Sequence, residues 1–211
     1  MSQIKAVVFD MDGVLIDAKD WHYEALNRAL ALFGYSISRY DHLVTYDGLP
    51  TKRKLEMLTR ERGLPPALHD FLNELKQLYT MELIYSRCKP QFHHEYALSH
   101  LKASGYKLAV ASNSVRRTVE VMMERSSLSN YLDTMLSNED VKRAKPDPEI
   151  YTTAFKRLGL EPAECLVVED NDNGIRAAEA AGAHLLVVQN VWDVTLENIT
   201  SRIAQIEEAA E

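Results

Sequence analysis

The sequence predicts an α/β protein: a doubly wound parallel-sheet core interrupted once by an inserted small α-helical cap domain. Three observations predict it. Five short runs rich in Val, Leu and Ile each end in polar residues, helical periodicity fills the intervals between the later runs, and the stretch 18–87 shows helical periodicity alone. Near-continuous apolar runs are expected of strands buried on both faces of a parallel sheet, since helices then cover both sides. Alternation of such strands with helices gives a Rossmann-like core.

Taken in order, IKAVVFD (4–10) is the first strand. The inserted segment follows. DWHYEALNRALALFG (20–34) places Leu26, Ala29, Leu30 and Phe33 on one helical face, and TKRKLEMLTRERG (51–63) and PALHDFLNELKQLYTMELIYS (66–86) continue the helical pattern. Tyr46, Tyr79 and Tyr85 are assigned to the core of this insert. The α/β alternation then resumes with YKLAVASN (106–113) as a strand. VRRTVEVMMERS (115–126) is a helix with apolar Val115, Val119, Met122 and Met123, and DTMLSN (133–138) is a weaker strand. PEIYTTAFKRLG (148–159) is a helix stopped by glycine, ECLVVED (164–170) a strand, NGIRAAEAAG (173–182) a second helix stopped by glycine, and HLLVVQ (184–189) the last strand. The expected division is a core of 1–17 and 88–211 and a cap of 18–87.

Composition narrows the class. The chain has 211 residues, 46% hydrophobic and 26% charged, with no apolar run long enough to span a bilayer, so a globular protein with a real core is expected and a membrane role is not. MSQIKAVVFDMDG lacks the long apolar region of a secretion signal, which points to a cytoplasmic protein. Cys88 and Cys165 form no ligand pattern and read as buried free thiols. A net charge of −7 argues against nucleic acid as a partner, so an anionic substrate needs a local positive site. His93 and His94 read as a solvated helix start. A monomer is expected.

Ligands of open α/β sheets gather at the carboxyl ends of the strands. The polar residues there are Asp10 and Asp12, Ser112 and Asn113, Glu169 and Asp170, with Lys145 after the third run. Carboxylates, a hydroxyl and one cation form the set that phosphoryl transfer asks for: a nucleophile, oxygen ligands for a hard divalent cation, and fixed positive charge. Two aspartates two residues apart can divide the work of nucleophile and general acid if the chain leaves strand geometry between them, which Gly13 assists. Asp170, from a distant strand, can help hold Mg²⁺. Asp172 reads as a solvated helix start, and Asn113 or Ser114 as a cap of the helix that follows them.

The four segments Asp10-Met11-Asp12-Gly13-Val14-Leu15, Ser112-Asn113, Lys145-Pro146-Asp147-Pro148-Glu149 and Val168-Glu169-Asp170-Asn171-Asp172-Asn173-Gly174 resemble, in order, the motifs of the haloacid dehalogenase superfamily. The likeness is greatest to the branch that holds β-phosphoglucomutase, phosphoglycolate phosphatase and sugar-phosphate phosphatases. The resemblance implies Asp10 as the nucleophile that becomes an aspartyl phosphate, with Asp12 as general acid and base. It implies Ser112, Asn113 and Lys145 as the phosphate-binding set. Asp10, Asp12 and Asp170 are implied as metal residues, with Glu169 a ligand or a supporting carboxylate, and Mg²⁺ as the cofactor.

The same likeness places His22 of the insert near substrate, and Thr51, Lys52 and Arg53 are further candidate contacts; the run Lys52, Arg53, Lys54 could steer an anion, a solvated helix face being the plainer reading. Leu49-Pro50-Thr51 stands where the mutase places an arginine, and its later cap lysine is not found in LYTMELIY. Arg53 and Arg87 are the possible substitutes. The expected reaction is therefore hydrolysis of a small phosphorylated metabolite, with a sugar phosphomutase as one alternative. A noncatalytic phosphometabolite-binding regulator is the other, and its signature would be loss of Asp10 or Asp12.

Overall fold

The computed structural model describes residues 3–46 and 48–209 and divides into two compact units, Met1–Asp17 with Lys89–Glu211, and Ala18–Cys88. The first unit is built on five strands: β1 (Ala6–Phe9), β2 (Lys107–Ala111), β3 (Thr134–Leu136), β4 (Cys165–Glu169) and β5 (His184–Val187). All pair in parallel in the order β3-β2-β1-β4-β5. The chain therefore runs outward from β1 to one edge and then fills the other side from β4. This leaves the switch of direction at the carboxyl ends of β1 and β4, where such sheets form a crevice.

Side chains alternate across this sheet with period two. On one face Ala6, Val8, Ala109, Ala111 and Val167 pack under α7 (Glu149–Leu158) and α8 (Asp172–Ala180), through Ile150, Tyr151, Ala154, Phe155, Ala177 and Ala178. On the other, Val7, Phe9, Leu108, Val110, Leu166 and Val168 are equally buried. There α5 (Phe92–Ala103) packs on β2 and α9 (Leu196–Glu208) on β5, and the two helices pack on each other. Helices on both faces explain why the strand sequences are apolar throughout. The weak run at 133–138 yields only the three residues of β3, an edge strand, and α6 (Arg116–Arg125) lies beside it.

The second unit is helical: α1 (Lys19–Ala31), the single turn α2 (Arg39–Asp41), α3 (Thr51–Arg62) and α4 (His69–Arg87). Its core joins Leu26, Ala29, Leu30, Ile37, Tyr46, Leu55, Leu58, Leu64 and Leu72. Phe33 departs from the expected helical face. It follows the end of α1, is 38% exposed, and meets Phe71 edge to face with ring centroids 6.0 Å apart. Tyr46 is buried and its hydroxyl donates to Glu61 Oε2 at 2.9 Å, whereas Tyr85 is 52% exposed. The reason is the period of α4, whose inward positions are Leu72, Lys76, Thr80, Leu83 and Ile84. Among the described residues no helix is long and apolar enough to cross a membrane. Cys88 and Cys165 are buried, and among the described residues they form no disulfide.

The His93–His94 pair also differs from expectation. Helical period puts His94 on the inward face of α5 with Ala97, Leu98 and Leu101. His94 Nε2 lies 2.8 Å and His93 Nε2 3.1 Å from the Val191 carbonyl, so each imidazole donates through Nε2. Burial holds the His94 imidazole down at about 4, against an ordinary 6.5. The unfolded chain then binds more protons than the fold between these values, so stability is complete above the ordinary value and falls as pH drops toward the lower one. The full loss is on the order of 3 kcal/mol at 1.36 kcal/mol per unit. His94→Gln keeps a donor for Val191 but cannot titrate, so its urea-melt stability should vary less between pH 6.5 and 4 than that of the native chain. Equal slopes would contradict this.

Candidate active site

The motif after β1 is a tight buried curl. Gly13 has φ of +96°, a left-handed conformation costly for any side chain. Its N–H donates to the Ile16 carbonyl at 2.7 Å, and the amides of Leu15 and Ile16 both return to the Met11 carbonyl. Met11, Val14 and Leu15 are buried, which anchors the curl from below. The backbone thus leaves strand geometry between Asp10 and Asp12. The Asp10 N–H is pinned to the Val168 carbonyl of β4 at 3.0 Å, fixing Asp10 at the crevice.

Lys145 is the electrostatic centre. It is 4% exposed, and its Nζ lies 2.6 Å from Asp10 Oδ1 and 2.6 Å from Glu169 Oε1. Charge-assisted bonds this short and buried are the strong kind. Glu169 Oε1 also accepts from the Tyr151 hydroxyl at 2.6 Å, while Oε2 accepts from the amides of Asp170 at 3.0 Å and Asn171 at 3.3 Å. A carboxylate has about four lone-pair positions. All four of Glu169's are therefore in use.

The Asn113 side chain holds the Lys145 main chain from both sides: Oδ1 accepts from the Lys145 N–H at 3.1 Å and Nδ2 donates to its carbonyl at 3.4 Å. Ser112 is buried after β2, with its N–H on the Leu136 carbonyl and its Oγ accepting from the Ser114 N–H at 3.0 Å. Ser114 does not cap α6. Its hydroxyl donates to Asp12 Oδ2 at 3.0 Å, and the Arg116 amide at the start of α6 is met by Glu139 Oε1 at 3.0 Å. Asp172 is exposed at the start of α8, where Asn171 is the capping residue.

These positions give a site short of positive charge. Asp10, Glu169 and Asp170 bring carboxylate oxygens within 4.8 Å of one another. Three carboxylates face one ammonium. Burial pushes the Asp10 carboxyl well above its usual range; Lys145 opposes this, and Glu169, Asp170 and Asp12 add to it. Burial works against the Lys145 ammonium, but Asp10 and Glu169 outweigh it and hold its pKa above the usual value. The Tyr151 hydroxyl, raised well above its usual range chiefly by burial, stays protonated as a donor. An all-oxygen set with two uncompensated negative charges fits a hard divalent cation.

Residues 7–188 match the family described as haloacid dehalogenase-like hydrolase. The chain is 32% identical over 182 residues to a phosphorylated carbohydrates phosphatase of Thermotoga maritima, spanning 85% of this chain and 82% of that one. The chain belongs to the haloacid dehalogenase-like hydrolase family. It is also 30% identical over 203 residues to the pyrophosphatase PpaX of Bacillus cereus, covering 88% of this chain and 83% of that protein. Two solved structures share the fold: β-phosphoglucomutase from Clostridium difficile, with a TM-score of 0.84 at 23% identity over 98% of this chain and 100% of that one, and CbbY from Rhodobacter sphaeroides in complex with phosphate, with 0.80 at 24% over 88% and 86%.

In the helical unit of this hydrolase, Thr51 opens α3 and is half-buried, while Lys52 and Arg53 are exposed and Arg53 pairs with Glu56 at 3.3 Å. The inward positions of α3 are Lys54, Leu55 and Leu58, so the buried cation of the run is Lys54, at 7% exposed. Arg87 is paired with Glu24 at 2.8 Å. His22 lies beside Lys76, with Nδ1 and Nζ 3.3 Å apart, and Lys76 is 9% exposed on the inward face of α4. Buried lysines are rare enough to be a signal. Lys76 lies just before LYTMELIY, outside the stretch in which a cap lysine is expected. Tyr151 sits on the apolar stripe of α7, where pattern alone does not distinguish its hydroxyl from core.

Proposed function

We propose that this hydrolase is a Mg²⁺-dependent phosphatase acting on a small phosphorylated metabolite, a sugar phosphate or similar monoester, through an aspartyl-phosphate on Asp10. The observation that carries the reading is the Lys145 ammonium shared at 2.6 Å between Asp10 and Glu169 at the carboxyl ends of β1 and β4. Among the described residues Lys145 Nζ makes two hydrogen bonds, and an ammonium has three donors. The third N–H serves a phosphoryl oxygen.

Asp10 attacks phosphorus as the bond to the leaving oxygen breaks, and Asp12 gives that oxygen its proton. Asp12, now a carboxylate, takes a proton from water. The resulting hydroxide attacks phosphorus, and orthophosphate leaves as the Asp10 carboxylate is restored. Ser114 orients Asp12 for both transfers. Ser112 and the Lys145 ammonium bind the phosphoryl oxygens, and Asn113 fixes the Lys145 backbone. Asp10 and Asp170, with the Asp12 main chain, would hold Mg²⁺; Glu169, its lone pairs already occupied, braces Lys145. When bound, Mg²⁺ neutralises the excess carboxylate charge and that of the phosphoryl group.

The names of the relatives in Thermotoga and Bacillus support phosphate hydrolysis as the reaction class. The helical unit acts as the cap that selects the leaving group. One observation favours a second reading, a sugar phosphomutase: the insert carries a buried cation, Lys76, beside His22. The test is phosphate release from p-nitrophenyl phosphate and a sugar-phosphate panel, with Mg²⁺ and with EDTA. Release only with Mg²⁺ is expected. A chain that converts glucose 1-phosphate to its isomer when a bisphosphate is added, without net phosphate release, is the mutase; one that turns over nothing is a binder.

A further inference from the structure

We propose that Tyr151 is a positioning residue for Lys145, acting through Glu169; this rests on the reading of Lys145 as the cation that meets the phosphoryl group. Tyr151 is fully buried on the sheet-facing side of α7, its ring stacked near Phe155 with centroids 6.5 Å apart. Phenylalanine would fill that space as well, so packing gives no reason for the hydroxyl. A buried hydroxyl must be paired, and this one has a particular acceptor. It donates at 2.6 Å to Glu169 Oε1, the same oxygen that binds the Lys145 ammonium at 2.6 Å. The ring makes a second contact with the same cation, its centroid 4.7 Å from Lys145 Nζ. One side chain therefore touches both halves of the buried ion pair.

The consequence is a balance. Lys145 Nζ is equidistant, at 2.6 Å, from Asp10 and Glu169, two carboxylates that compete for it. The Tyr151 hydroxyl takes up part of the negative charge on Glu169 Oε1 and weakens its pull, which keeps the ammonium on Asp10 and its remaining donor aimed at substrate. Glu169 cannot turn away to compensate, because its other oxygen is held by the amides of Asp170 and Asn171. Without the hydroxyl, Glu169 draws Lys145 toward itself.

The test is a double-mutant cycle in the Mg²⁺-loaded enzyme, with orthophosphate binding by calorimetry as a readout that needs no turnover. Tyr151→Phe should lower kcat about 10-fold with KM within about threefold, because Lys145 acts on charge that grows in the transition state, and should weaken orthophosphate about fivefold. In a Glu169→Gln background the same change should cost less than about twofold, since the acceptor it acts on is no longer charged. A purely structural tyrosine would give the same factor in both backgrounds. Equal factors, or a Tyr151→Phe enzyme with native kcat and native orthophosphate affinity, would overturn the proposal. Activity of the native chain tests the reaction itself, and the ratios between variants test Tyr151.

Discussion

Gly174→Ala is expected to lower kcat/KM by at least about 100-fold and to lower the melting temperature, although alanine usually strengthens a helix by about 1 kcal/mol over glycine. Gly174 lies within α8 and is not needed for a left-handed turn. Its role is room. A Cβ built there falls 1.6 Å from Glu169 Oε1, 2.0 Å from Cδ and 2.4 Å from Oε2, so the carboxylate occupies the space a side chain would take. Either the helix or Glu169 must move.

Overpacking costs about 1–3 kcal/mol, and a buried ion pair broken on one side costs about 3–5 kcal/mol, both more than the helical gain. Moving Glu169 also releases its grip on Lys145, on Tyr151 and on the amides that begin the loop to α8. Thermal melts and steady-state assays of Gly174→Ala check the result together. A variant with native turnover and a raised melting temperature would show that the Glu169 carboxylate is not held where the structure puts it.

Asp10→Asn is expected to abolish turnover, by a factor on the order of 10⁴ or more, as removal of a nucleophile does. It should do so without unfolding the protein. Asparagine keeps the size of the side chain and an oxygen that can accept from Lys145, while removing one of the carboxylates that crowd the site. Because burial and neighbouring carboxylates raise the Asp10 pKa in the fold, the unfolded chain holds this proton less tightly, and the ionised group costs stability as pH rises above its ordinary value of 3.8. In EDTA at neutral pH the variant should therefore melt at or above the native temperature. Added Mg²⁺ should raise the native melting temperature more than that of the variant. A variant that melts well below the native chain in EDTA would contradict this electrostatic picture.

The strand runs and the two aspartates were legible in the sequence because each imposes a pattern: unbroken apolar residues for strands covered on both sides, and polar residues where those runs stop. Gly13 was legible for the same reason, since a bend between Asp10 and Asp12 requires a backbone that side chains resist, and its φ is +96°. Tyr151, Ser114 and Gly174 carry no such mark. Tyr151 and Ser114 meet Glu169 and Asp12, 18 and 102 residues away, only through the fold, and Gly174, close to Glu169 in the chain, is set against its carboxylate by the turn that leads into α8.

Asn113 is marked by its place at the end of a strand run, but nothing in the sequence says that its amide reaches the Lys145 backbone. In the helical unit Lys52 and Arg53 lie on the solvated face that is their plainer reading, and helical phase turns Lys54 of the same run inward. His94 is polar by type yet shares its helical face with Ala97, Leu98 and Leu101, and that apolar company sets its burial.

Covalent phosphorylation of Asp10 tests the central claim most directly. The native enzyme is mixed with a phosphate monoester and Mg²⁺, quenched in acid within a turnover, digested, and examined by mass spectrometry. A phosphoryl group on the peptide that carries Asp10, absent from Asp10→Asn, is the predicted result. Phosphate found on another residue, or native turnover by Asp10→Asn, would contradict it.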